Sequence, residues 1–315
     1  MTEKFDILAI GELNVDLILN DIQQQPELGK EIIARSLEVI LGSSTAIFAS
    51  NISIMGASVA FLGKIGKDSF ADTVLNSLRD KGVNTDFILQ TSEFKTGASI
   101  ALNYDQDRYM VTYPGAMEHL TIDDISNQAL EKAAHLHFSS PFLQPGIRND
   151  LATLFQRAKD LGLSTSLDTQ WDPQEKWDLD IKAILPFVDV FLPNAGELIA
   201  MTGVNDITSA AEKFIDLCET LVVKCGEDGA MLFSENQKIL GKPFSNDQVV
   251  DAIGAGDSFN AGFIFKYVRG QPLNECLEFA NLMGALNTTG VGGTGAFLDH
   301  SILKEIALEK FGVAL

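Results

Sequence analysis

At 315 residues and 46% hydrophobic content, the chain suits one large domain or two modest ones and can bury about three quarters of its unfolded surface. A net charge of −20 argues against a nucleic-acid or anionic-membrane surface, so any bound polyanion needs help from backbone amides, a metal ion or a few basic side chains. Cys218, Cys225 and Cys276 lack C-x-x-C spacing, "MTEKFDILAI" lacks a signal-peptide apolar block, and no run reaches the roughly 18 apolar residues of a membrane span; a soluble, cytoplasmic protein with buried thiols is expected.

Strand-like runs and helical periods alternate along the chain. "FDILAIG" (5–11) reads as a strand, 44–55 as a helix, "SVAFLGKIG" (58–66) as a strand and 70–81 as a helix. Strands follow at "HLHFS" (135–139), "LSTSLDT" (163–169), "VDVFLPN" (188–194) and "TLVVKCG" (220–226), with helices at 148–161, 208–218 and 255–268. Apolar strands separated by helices predict an α/β fold with a mostly parallel sheet covered on both faces. Ligands in such sheets lie outside the carboxyl ends of the strands. Residues 15–41 and 95–113 break the alternation and read as short antiparallel strands, a small sheet inserted over a site. Lys95 and Arg108 fall in these inserts, where an exposed charge is the default. No linker, low-complexity tract or internal repeat divides the chain.

The stretch "DAIGAGDSFNAGF" (251–263) carries the most chemistry. Phe259, Ala261, Phe263, Ile264 and Tyr267 predict a largely buried helix whose first turn is Gly254 to Asp257. Unpaired N–H groups and the dipole make such an end an anion site, most often for phosphate. A carboxylate there repels the anion unless it has separate work, such as removing a proton. The bland alternative is a tight turn with Asp257 as a cap. Asn194 and Glu197, after a buried strand and Pro193, lie at i and i+3 on one helix face. They read either as a helix start with Asn as cap or as hard oxygen ligands for Mg²⁺ held through water. His135 and His137 alternate in a strand as core or lining residues, and Trp171 and Trp177 are packing or site-wall residues. Neither a G-x-x-x-x-G-K-[ST] loop nor a G-x-G-x-x-G after the first strand occurs.

The run Asp251-Ala252-Ile253-Gly254-Ala255-Gly256-Asp257-Ser258-Phe259 resembles the D-T-x-G-A-G-D-x-F signature of the ribokinase/PfkB carbohydrate kinases, with Ala252 for the usual threonine. The resemblance continues in family order through "GELNVD" (11–16), "LGKIGKDSFADTVLNSLRDKGVNT" (62–85), "NAGE" (194–197), "KCGEDGA" (224–230) and "FANLMGAL" (279–286). It is weakest at "LGSSTAIFASNISIMG" (41–56), where Gly42-Ser43 and Ile47 stand for Gly-Gly and Asn. That loop touches the sugar in the family, so the mismatch bears on substrate identity more than on reaction.

The resemblance implies a ribokinase-like three-layer fold with a mostly parallel central sheet and a small β-sheet lid. Residues 1–11, 42–94 and 114–315 would form the core, and 12–41 and 95–113 the lid. It implies an ATP-dependent kinase acting on a small sugar, fructokinase- or ribokinase-like, with Asp257 as general base and the Gly254-Ala255-Gly256 turn as anion hole. Asn14, Asp16 and Gly42 would face the sugar, and Lys224, Gly226, Gly229 and Asn281 the nucleotide. Asn194 and Glu197 would hold Mg²⁺. A monovalent cation near Asp251 and a homodimer through the lids stay open. So do a nucleoside or vitamin kinase of the same fold and a non-catalytic sugar- or nucleotide-sensing protein. Vitamin kinases of this superfamily often have a shortened or absent lid, whereas two lid-like inserts are present here.

Overall fold

Residues 4–104, 107–235 and 237–315 are described in this computed structural model. In chain order the strands are β1 (Phe5–Ile10), β2 (Asn14–Asn20), β3 (Ser36–Leu41), β4 (Val59–Gly66), β5 (Asn84–Thr91), β6 (Gly97–Tyr104) and β7 (Asp107–Tyr113). They continue with β8 (Ala133–Ser139), β9 (Ser164–Asp168), β10 (Val190–Phe191), β11 (Thr220–Lys224), β12 (Ala230–Ser234) and β13 (Gln237–Gly241). A nine-stranded sheet runs β13-β12-β11-β10-β9-β8-β1-β4-β5, and a four-stranded sheet runs β3-β2-β6-β7. In the large sheet β5 through β11 pair in parallel, while β12 and β13 form an antiparallel edge.

Strand β1 shows why the sheet must be covered on both faces. Ile7 and Ala9 enter one buried cluster with helices Ser44–Ile54, Ala255–Tyr267 and Leu273–Asn287. Leu8 and Ile10 enter the other, with helices Leu151–Asp160 and Ala195–Thr202. Period-2 alternation splits one apolar run between two cores, and each fully buried Leu or Ile contributes about 1.5–3 kcal/mol. Two clusters on opposite faces make three layers. The chain runs outward from β1 through β4 to β5 and then returns to β8 on the other side of β1, so the strand order reverses there and the carboxyl ends open a crevice at the switch point. Among the described residues no helix is long and apolar enough to cross a membrane.

Several elements differ from the sequence reading. Helical geometry over 208–218 is confined to Ile207–Ala211. Beyond it Phe214 and Leu217 donate to carbonyls three residues back, a tighter winding that brings Phe214 onto Phe191 at 6.1 Å between ring centroids. The 148–161 segment is two helices, Pro145–Arg148 and Leu151–Asp160. The 188–194 strand pairs only at Val190–Phe191, with a further bridge from Asn194 to Lys224, because Pro193 has no N–H for a ladder. In the small sheet β2–β3 and β6–β7 are antiparallel as expected, but β2 and β6 join the two hairpins in parallel.

Candidate active site

Polar residues gather at the carboxyl ends of the central strands. After β1 come Glu12, Asn14 and Asp16, all buried. Asn14 Nδ2 donates to Asp16 Oδ1 at 2.9 Å and to Ser99 Oγ at 3.2 Å, and Ser99 in turn meets Thr112 Oγ1 at 2.9 Å. The small sheet therefore presents a polar face toward the crevice. Gly42 lies against this pair: a Cβ there would come within 2.3 Å of Asp16 Oδ1 and 2.5 Å of Asn14 Nδ2, so only glycine fits. Ser43 next to it has φ 72°; its hydroxyl donates to the Glu12 carbonyl at 2.6 Å and accepts from Ala46 N as the helix cap. Ser43 thus supplies a cap that the usual glycine lacks, while Ile47 packs on Gly254 and Gly293. Ser44 completes the connection by donating to Asp257 Oδ1.

Asp257 is 7% exposed in the first turn of helix Ala255–Tyr267. Gly254 begins that turn at φ 76°, and a Cβ on it would lie 2.5 Å from Gly293 Cα. Ala255 N turns back to Ala252 O at 3.3 Å and Ser258 N to Gly254 O at 2.8 Å. Gln170 Nε2 reaches Asp257 Oδ1 at 3.0 Å, Ser44 Oγ at 2.8 Å and Asp168 Oδ2 at 2.8 Å. Asp168, the last residue of β9 and fully buried, is also held by Asn260 Nδ2 at 2.5 Å and Lys224 Nζ at 3.1 Å.

Electrostatics follow from this crowding. Burial lifts the Asp257 carboxyl to about 7, helped by repulsion from Asp168 and Glu12 and opposed by the Ser44 hydroxyl and the Lys224 ammonium. Burial and the Asp168 carboxylate raise Glu197 above the usual range against the pull of Lys224. For Lys224 burial acts downward, but Asp168, Glu197 and Asp257 outweigh it and hold its pKa above the ordinary lysine value. Three carboxylates thus surround one ammonium. Glu12 is raised by burial despite hydrogen bonds from Thr45 N, Thr45 Oγ1 and Ser140 Oγ.

Asn194 and Glu197 form a capping box: Asn194 Oδ1 accepts from Glu197 N, and Glu197 Oε2 accepts from Asn194 N, each at 2.9 Å. The capping reading is therefore realised. Among the described residues no three His, Cys, Asp or Glu side chains are grouped as direct ligands for a metal ion. The excess negative charge around Lys224 is nevertheless chemically suited to a hydrated divalent cation.

On the far side, Gly226 and Gly229 have φ of 60° and 85°, and the Cys225 N–H donates to Gly229 O at 2.8 Å. Gly229 abuts the Gly241 carbonyl, and Gly241 abuts Asn281. Among the described residues Asn281 Nδ2 is buried without a hydrogen-bond partner. An orphaned amide beside a glycine turn is a fitting place for a ring nitrogen or hydroxyl acceptor of a nucleotide. Asp251 joins two loops, accepting from Ile253 N and Gly292 N at 2.9 Å each.

The remaining sequence candidates lie elsewhere. His135 and His137 stand in a buried ladder with Ser164, Ser166 and Ser139, and burial pushes His135 down to about 3. The cysteines are free thiols; burial raises Cys218 and Cys276 to about 12. Trp171 and Trp177 pack edge to face at 5.0 Å, Trp171 also against Gly196 beside the capping box. Lys95 is exposed, and the side chain of Arg108 lies outside the described residues. Glu12, Ser44, Asp168, Gln170 and Asn260 were not singled out by sequence; the available signal was that Glu12 and Asp168 are acidic residues at strand ends.

A carboxylate in a glycine-rich helix N-terminus, at the switch point of a mostly parallel sheet with a smaller sheet beside it, defines a ribokinase-like phosphotransferase with an alcohol group as acceptor. The description "pfkB family carbohydrate kinase" matches residues 4–299, and the chain belongs to that family. An "Uncharacterized sugar kinase" from Archaeoglobus fulgidus is 30% identical over 235 residues, 74% of this chain and 92% of the relative. The structure of an Arabidopsis thaliana ribokinase complexed with ribose and ATP aligns with TM-score 0.83 at 24% identity, covering 96% of this chain and 99% of that one. A putative ribokinase II from E. coli in complex with ATP and Mg²⁺ aligns with TM-score 0.83 at 21% identity, covering 96% and 98%.

Proposed function

We propose that this protein transfers the γ-phosphoryl group of ATP to a hydroxyl of a small sugar, with Asp257 as general base. The observation that carries this is the position of Asp257. It links through Ser44 and Gly42 to the Asn14–Asp16 pair on one side, and through Gln170 and Asp168 to Lys224 and the nucleotide-side turn on the other. A carboxyl lifted to about 7 suits a base working near neutral pH, since proton transfer is most effective when its pKa lies near the operating pH.

Asn14 and Asp16 would hydrogen-bond sugar hydroxyls, with Gly42 allowing the ring to approach. Asp257 Oδ2 would accept the proton of the reacting hydroxyl as the oxygen attacks phosphorus. Bound ATP supplies the phosphoryl group, and Mg²⁺ neutralises phosphate charge. The first-turn amides of Gly254, Ala255 and Gly256 would hold the transferring group; that of Ala255 would have to release its 3.3 Å contact with Ala252 O. Lys224, Gly226, Gly229 and Asn281 would bind the nucleotide, and Asn194 and Glu197 would retain Mg²⁺ through water while keeping their capping box. Asp251 already joins its two loops, the task a monovalent cation near it would share. We propose residues 12–41 and 95–113 as a lid that excludes water as a competing nucleophile.

The outer face of the lid carries exposed Leu37, Val39, Ile100, Tyr109, Val111 and Tyr113, a continuous apolar stripe by strand register. Such a patch supports a homodimer through the lids. The function is tested by coupled assays of ATP consumption over a panel of free sugars, nucleosides and vitamin alcohols. Saturable, sugar-dependent consumption with a phosphosugar product is the expected result; turnover confined to nucleosides or vitamins, or none at all, overturns the reading.

A further inference from the structure

We propose that Gln170 is a positioning residue for the base, its side-chain amide fixing the Asp257 carboxylate so that one oxygen stays free for the substrate hydroxyl. The inference rests on the reading of Asp257 as the base. Gln170 follows β9 with φ 55°, a left-handed conformation that residues other than glycine rarely adopt. Such strain persists where the surroundings over-determine it, and at functional sites it commonly aims a side chain. Here it directs Nε2 into the space between two carboxylates, 2.8 Å from Asp168 Oδ2 and 3.0 Å from Asp257 Oδ1. The same nitrogen lies 2.8 Å from Ser44 Oγ, and Ser44 itself donates to Asp257 Oδ1. Asp257 Oδ1 therefore has two donors. Among the described residues, Oδ2 accepts no hydrogen bond and is the oxygen left to take a proton.

The charged groups acting on Asp257 come from three directions: Asp168 at the end of β9, Lys224 at the end of β11 and Glu12 after β1. Asp168 and Glu12 favour its neutral form and Lys224 its charged form. The Gln170 amide is a neutral donor between Asp168 and Asp257. It stabilises the carboxylate and screens it from its like-charged neighbour without adding a cation that would compete for phosphate. Loss of the amide should make the base harder to ionise.

The test is the pH profile of kcat/KM for the sugar in two variants. Gln170→Gly removes the amide at a φ that glycine prefers, so folding is not strained. Gln170→Glu keeps the length but replaces the donor with a third carboxyl. Both should move the acid limb to higher pH, Gln170→Glu further, with a roughly tenfold loss at pH 7 that is largely regained at pH 9. Affinity for ATP, measured by calorimetry without sugar, should stay within about twofold. A limb at the wild-type pH in both variants, or an equal loss at every pH, overturns the positioning role. Failure of the base assignment is distinguishable: Asp257→Asn would then retain turnover whatever Gln170 does.

Discussion

Replacing Lys224 with methionine should destabilise the ligand-free protein, and more so at pH 8 than at pH 5. The side chain is 11% exposed and its partner Asp168 fully buried, with Glu197 and Asp257 also acting on the ammonium. Removing one partner of a buried pair costs about 3–5 kcal/mol, because the remaining charge is left without compensation. At roughly 2 °C per kcal/mol this is a fall in Tm of ~6–10 °C at pH 8. The direction with pH follows from the shifts. The folded pKa of Lys224 is raised, so its stabilisation is complete below the unfolded lysine value and lost only as pH rises through the still higher folded value. It remains charged between pH 5 and 9. Asp257, raised from 3.8 to about 7, instead favours the folded state through protonation at low pH, and this advantage disappears as pH rises through that window. Lys224 lowers the pKa values of Asp257 and Glu197, so its loss raises both, and their protonation relieves the cluster more completely at pH 5 than at pH 8. Denaturant unfolding of wild type and Lys224→Met at both pH values measures this. Equal losses at pH 5 and pH 8, or a loss below about 1 kcal/mol at pH 8, would refute the reasoning.

Glu197→Gln keeps the shape of the capping box but removes charge; kcat should fall and the Mg²⁺ concentration for half-maximal rate should rise, with sugar affinity little changed. Asp16→Ala should weaken sugar binding by about 1–3 kcal/mol while leaving the Mg²⁺ requirement unaltered, as titrations of rate against each ligand would register. Val111→Lys places a charge in the apolar outer face of the small sheet, and light scattering should show a shift from dimer to monomer; a wild-type monomer across micromolar concentrations would refute the lid-to-lid pairing.

The parts of the fold legible in sequence are those where local pattern and tertiary burial agree. Strands β1, β4 and β11 are largely apolar because both faces are covered; β8 and β9 are equally buried but carry polar residues that satisfy one another, His135 and His137 meeting Ser164 and Ser166. The edge strands β5 and β13 are only partly buried and carry no comparable run, which hid them. The 208–218 segment has a helical period, yet tertiary packing of Phe214 tightens its second half. In the site, Gly254 and Asp257 were visible because a small-residue turn before a buried helix is a local signal. Gln170 and Ser44 were not, since they meet Asp257 across 87 and 213 residues of chain and nothing near either residue marks that meeting. The capping box at Asn194 and Glu197 and the proposed retention of Mg²⁺ would use the same atoms, so spacing alone could not separate them.

The central claim is that Asp257 takes the proton of the sugar hydroxyl. It is tested most directly by single-turnover kinetics of Asp257→Asn beside wild type, with ATP binding measured separately. The amide keeps the size of the carboxylate but cannot accept the proton, so phosphoryl transfer should fall by about 10²–10⁴-fold while nucleotide affinity changes little. Phosphoryl transfer at a near wild-type rate in Asp257→Asn would contradict the account.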